Sequence, residues 1–127
     1  MADHPVLVAA QRGIAVLTMA LIATQFFLAG AGAFGATSFD AHKAVGSVLV
    51  LVVLVGVLVA ALARRHAVHA LILFALTVLQ FVLGSVGADE PWVGALHGLN
   101  ALAVLAAGGT LARKTFESPP GARAATA

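Results

Sequence analysis

The sequence predicts an all-α integral membrane four-helix bundle built from two repeated helical hairpins. Three observations carry this. The 127 residues are 61% hydrophobic and only 9% charged, with mean hydropathy +1.06, whereas about a quarter of the residues of a soluble domain are charged. Four apolar runs follow one another, each near the ~20 residues that cross a ~30 Å hydrocarbon core as a helix. The chain also repeats itself. Gln25 to His42 reads QFFLAGAGAFGATSFDAH, and Gln80 to His97 reads QFVLGSVGADEPWVGALH. A shift of 55 residues superposes Ala20 on Ala75, Leu21 on Leu76, Gln25 on Gln80, Phe26 on Phe81, Leu28 on Leu83, Gly32 on Gly87, Ala33 on Ala88 and His42 on His97. The Gln and His matches weigh most, because polar residues are scarce here and expensive in lipid.

Residues 1–13 form a short lead on the inner side and contain His4, expected to be solvated. Residues 14–34 are the first span. Ala31-Gly32-Ala33 has the small-residue form of a signal cleavage site, but the run is long for a signal core and its residues recur in the third span. A short loop with Asp40 leads to the second span, residues 44–63, rich in Val and Leu. Arg64, Arg65 and His66 end it, with His69 just beyond. The third span is 70–87. The next loop holds Asp89, Glu90 and Pro91, which suit a helix N-terminus, and Trp92, which suits the interfacial belt. The fourth span is 93–111, inside a bundle bounded by residues 14–112, and residues 113–127 read as a disordered polar tail.

Charge orients the spans. Arg12, Arg64, Arg65, Arg113, Lys114 and Arg123 fall on one side, and the other side has Lys43 against Asp40, Asp89 and Glu90. The positive-inside rule then predicts a plasma membrane protein with both termini cytoplasmic. There is no cysteine, so disulfides and thiolate metal sites are excluded. No basic run is long enough for nucleic acid. The lipid bilayer is the partner that composition demands; self-association into a homo-oligomer stays open.

Each repeat unit has two spans, so both enter the membrane in the same direction. Such repeats relate by a pseudo-two-fold axis along the membrane normal. His42 and His97 therefore come to one depth near the outer face, on opposite sides of the axis. Leu21, Gln25, Leu28 and Gly32 step along one helix stripe, and Leu76, Gln80, Leu83 and Gly87 along its copy. The stripe from His42 continues through Gly46, Leu49, Val53 and Gly56, and that from His97 through Ala101, Val104 and Gly108. Small residues such as Gly46 and Ala101 permit close helix approach and leave room for a flat ligand beside an imidazole.

Two opposed imidazoles in an apolar slot suit a b-type haem with bis-histidine ligation. A lone copper or zinc ion fits less well, since two nitrogens are too few ligands. A purely structural or proton-handling pair is the remaining reading. Gln25 and Gln80 are expected near mid-membrane, bonded to each other or to a neighbouring backbone, or lining the lower edge of the pocket. Asn100 has no polar counterpart at Val45 and would bond a carbonyl or the ligand. Lys43 would pair with a propionate or simply snorkel. His66 and His69, three apart in a basic turn, read as solvated rather than as a metal pair.

His42-Lys43 after an outer loop, with the segment LQFVLGSVGADEPWVGALHGLNALAVL, resembles one four-helix half of the haem A synthase superfamily. The resemblance implies haem ligands at His42 and His97 and a haem-bearing bundle over roughly residues 14–112. It does not extend to the oxygenase chemistry: Phe39 stands where the active half carries a glutamate, Asp40 is one residue closer to the histidine, Lys43 replaces a frequent arginine, and the second half is absent. The expectation is a haem protein for electron transfer or haem handling, with a quinone or membrane enzyme as redox partner. The alternative is an accessory subunit whose His and Gln residues only lock helix packing. A transporter is disfavoured, because the four spans hold no acidic or basic residue.

Overall fold

A computed structural model describes residues 5–117. Four helices account for nearly all of it: α1 (Pro5–Ala33), α2 (Asp40–Ala63), α3 (Ala67–Val86) and α4 (Pro91–Phe116). Each is long and apolar enough to cross a membrane, and the protein is a multi-pass membrane four-helix bundle. Helix is what lipid imposes, because it bonds every backbone group within the segment. That constraint overrides the modest helix propensity of the valine-rich α2.

The helices stand in a square. α1 lies beside α2 and α4, α3 lies beside α2 and α4, and the diagonal pairs make no close backbone approach. Each helix contributes to one core: Ile22, Leu49, Val53, Leu73 and Val104. Ile22 is 2% and Leu73 1% exposed. Large apolar side chains such as Leu51, Leu71, Phe81 and Leu102 point outward, as lipid-facing residues do.

The turns have local causes. α2 closes with Arg64 in the left-handed region (φ 51°), where the Arg64 and Arg65 N–H groups bond Ala61 and Ala60 carbonyls. His66 follows at φ 58° and starts α3. Gly35, at φ +74°, turns the chain after α1, a conformation that glycine adopts without a Cβ penalty. Pro91 occupies the first turn of α4, where its missing N–H costs nothing.

The helices run beyond the expected spans. The lead of residues 1–13 is helical from Pro5 onward, and the tail expected from residue 113 is helical through Phe116. Hydropathy marks where lipid begins, whereas the backbone ladder runs past it into the interface. His4 and residues 118–127 lie outside the described residues. The α1 stripe is also shifted by about one residue. Gln11, Ala15, Thr18 and Ile22 are its fully buried row, while Leu21 packs half-buried beside it.

Candidate functional site

The repeated Gln and His form two matching clasps, one in each hairpin. In the first, the Gln25 amide Nε2 donates to the His42 carbonyl at 3.0 Å, and the His42 ring Nδ1 meets the Gln25 carbonyl at 3.3 Å. In the second, Gln80 Nε2 donates to the His97 carbonyl at 2.9 Å, and His97 Nδ1 meets the Gln80 carbonyl at 2.9 Å. A carbonyl oxygen only accepts, so both rings carry their proton on Nδ1. Nε2 of each ring is then the lone-pair nitrogen. The glutamines bond the partner helix of their own hairpin, not each other. These bonds put each glutamine level with the histidine of its own hairpin, and Gln80 lies six residues, about 9 Å, before the C-terminal end of α3.

His42 on α2 and His97 on α4 face each other across a diagonal of the square. Their ring centroids are 6.1 Å apart with planes at 67°. The symmetry argument for equal depth therefore matches the geometry. Two imidazoles on opposite sides of one metal ion have centroids about 6 Å apart, given metal–nitrogen distances of about 2.0–2.1 Å. A metal-ligating histidine commonly donates from its other ring nitrogen to a carbonyl or carboxylate, and both rings here have a carbonyl at Nδ1.

The surroundings of the pair differ from the expected open slot. A Cβ at Gly46 would lie 2.8 Å from Gln25 Nε2, so Gly46 makes room for the clasp and not for a ligand. A Cβ at Gly32 would lie 2.9 Å from the Phe39 ring, which also stands edge-on to His42 at 6.1 Å. Phe39 is 45% exposed between α1 and α2, so a flat ligand at His42 would have to displace this ring. Ala101 is half-buried one turn after His97, and Lys43 is exposed next to His42. Among the described residues no three His, Cys, Asp or Glu side chains converge on a common point. The donor set is thus two imidazoles, which suits a group that brings its own equatorial ligands and does not suit a bare ion.

Asn100 separates the two clasps. Its Nδ2 donates to the Leu76 carbonyl at 3.0 Å and to Gln80 Oε1 at 2.7 Å. Position 45 of the first repeat is valine, and Gln25 Oε1 is a buried acceptor without a partner.

The opposite end of the bundle is basic. Gln11, missed by the sequence reading, donates from Nε2 to the Arg65 carbonyl at 2.9 Å. Arg12 donates from Nε to the Thr115 carbonyl at 3.1 Å and lies 5.5 Å from the centre of the Phe116 ring. These bonds gather the start of α1, the α2–α3 turn and the end of α4. His66 and His69 meet edge-on at 6.4 Å. Burial, and then the nearby charges of Arg65, His69 and Lys114, hold the His66 pKa below its ordinary 6.5, against a smaller opposing pull from Glu117.

Residues 25–86 match a family described only as a family of unknown function (DUF6220). The match covers a little under half of the chain, from Gln25 through α2 to the end of α3. It takes in the first clasp whole, and of the second only Gln80. No curated protein and no solved structure matches the chain.

Proposed function

We propose that this protein is a membrane haem-binding protein that holds one b-type haem between His42 and His97. One observation carries the reading. Both ring Nδ1 atoms are engaged by backbone carbonyls while the rings oppose each other at 6.1 Å across the bundle. The clasps thus select the tautomer that presents Nε2 and hold each ring against rotation. The resemblance of the His42 and His97 segments to a haem A synthase half supports the same assignment. A bound haem would be held by the rings of His42 and His97 and would supply one-electron redox chemistry, which favours electron transfer or haem handling over oxygen chemistry. Phe39 stands edge-on to His42, and the exposed Lys43 offers a cation next to it. The basic end lies in the cytoplasm of a bacterial cell, with both termini, and the histidines lie near the outer face. A quinone or membrane enzyme is the redox partner.

The second reading is a structural one, favoured by the clasps themselves, which would lock each hairpin without any ligand. A reduced-minus-oxidised absorption spectrum of protein purified from haem-supplied cells decides between them. The haem reading expects the sharp α band of a low-spin bis-imidazole haem, lost in His97→Ala. A wild type that stays colourless on haem titration leaves the structural reading standing.

A further inference from the structure

We propose that the basic end of the bundle binds an anionic phospholipid, its phosphate held by the Arg12 guanidinium with Lys114 as a second cation. The site lies at the opposite end of the helices from the histidine pair and does not depend on what that pair holds.

Arg12 is the central observation. It is the eighth residue of α1 and is half-buried against α4. Its Nε donates to the Thr115 carbonyl at 3.1 Å, and its guanidinium lies 5.5 Å from the centre of the Phe116 ring. These two contacts orient the group. They leave its two Nη nitrogens, which carry most of its N–H donors, without an acceptor among the described residues. A guanidinium held in this way presents a fork of donors that matches two phosphate oxygens. Protein carboxylates do not fill the place. This end carries Arg12, Arg64, Arg65, Arg113 and Lys114 against one described carboxylate, Glu117. That carboxylate is engaged by Arg113 at 3.1 Å. Lys114, the neighbour of Thr115, has no ion pair among the described residues.

The surroundings favour a lipid over a free phosphate. Val16, one turn further along the same side of α1, is 57% exposed, and Phe116 is 53% exposed. In helices long and apolar enough to cross a membrane, such side chains lie against acyl chains. Arg12 therefore stands where hydrocarbon gives way to headgroups. One molecule with acyl chains and a charged phosphate satisfies both surfaces, and basic groups between helix ends are the sites such headgroups use.

The test is native mass spectrometry of the detergent-purified full chain, which counts bound lipid as added mass. It is titrated with phosphatidylglycerol and, separately, with phosphatidylcholine of the same acyl chains, whose choline cancels the phosphate charge. Phosphatidylglycerol is expected to bind about tenfold more tightly. Lys114→Gln should weaken its binding about fivefold. Arg12→Gln, which removes the charge and the fork, should weaken it at least about tenfold. Arg12→Lys keeps the charge without the fork and should fall between wild type and Arg12→Gln. It also serves where loss of the Thr115 bond leaves Arg12→Gln unfolded. Arg113→Gln, whose guanidinium already has Glu117, should change binding by no more than about twofold. Equal affinity for the two lipids would overturn the site, as would wild-type affinity in both Arg12→Lys and Lys114→Gln. Displacement of phosphatidylglycerol by an equal concentration of inorganic phosphate would overturn the lipid assignment in favour of a soluble anion.

Discussion

Each clasp satisfies two carbonyls that the helix ladder leaves with spare acceptor capacity, and it does so with side chains that lipid would otherwise penalise. Interhelical bonds of this type contribute about 1 kcal/mol each, so their value lies in orientation as much as in stability. The Gln-to-His spacing of 17 was legible as a repeated pair, but the reciprocity of the bonds was not. It depends on where two helices cross. At the other end, His66 makes a pH prediction. Its pKa is lowered in the fold, so the unfolded chain binds more protons below the ordinary value of 6.5. Stability is then full above about pH 6.5 and falls as pH drops toward the lowered folded value. A thermal melt series in detergent should show this decline, and His66→Asn, which tolerates the left-handed backbone, should flatten it. An unchanged slope in that variant would remove His66 as the cause.

Between elements, the repeat solves one packing problem in two ways. Gly32 and Gly87 occupy equivalent positions. Gly32 receives the Phe39 ring, while Gly87 meets the Gly94 backbone, so that an added Cβ would lie 2.5 Å from Gly94 Cα. A ring can swing aside and a backbone cannot. Gly87→Ala is therefore expected to cost about 1–3 kcal/mol, the range of overpacking. Gly30→Ala, with nothing within 4 Å, should be neutral or slightly stabilising. Unfolding of the two variants in mixed micelles measures the difference, and equal stability would show that the α3–α4 crossing relaxes freely. Sequence identity marked both glycines but could not distinguish their neighbours. Nor could it find the buried row through Thr18 and Ile22, because their repeat equivalents, Leu73 and Thr77, exchange the polar and apolar roles.

For the whole molecule, the charge asymmetry predicts one orientation. The sequence has no cysteine, so single introduced thiols are unambiguous. In intact cells an impermeant thiol reagent should label Ser38→Cys and Glu90→Cys in the outer loops, and it should label Glu117→Cys only after lysis. Labelling of Glu117→Cys in intact cells would reverse the proposed topology. Gln11, Arg12 and Thr115 tie the ends of α1 and α4 to the α2–α3 turn, which places all the helical ends with excess Arg and Lys on one side.

The sequence by itself determined the number of spans, their helical state, the pairing into hairpins and the opposition of His42 and His97. These follow from hydropathy, from backbone bonding in lipid and from the symmetry of a parallel repeat, none of which needs atomic contacts. The tertiary structure alone decided what Gln25, Gln80 and Asn100 bond, that Gly46 serves the clasp, and that Phe39 lies over Gly32. Those outcomes depend on distances of a few tenths of an ångström between helices. Such distances are set by the side chains of all four elements together, not by any one stretch of the chain.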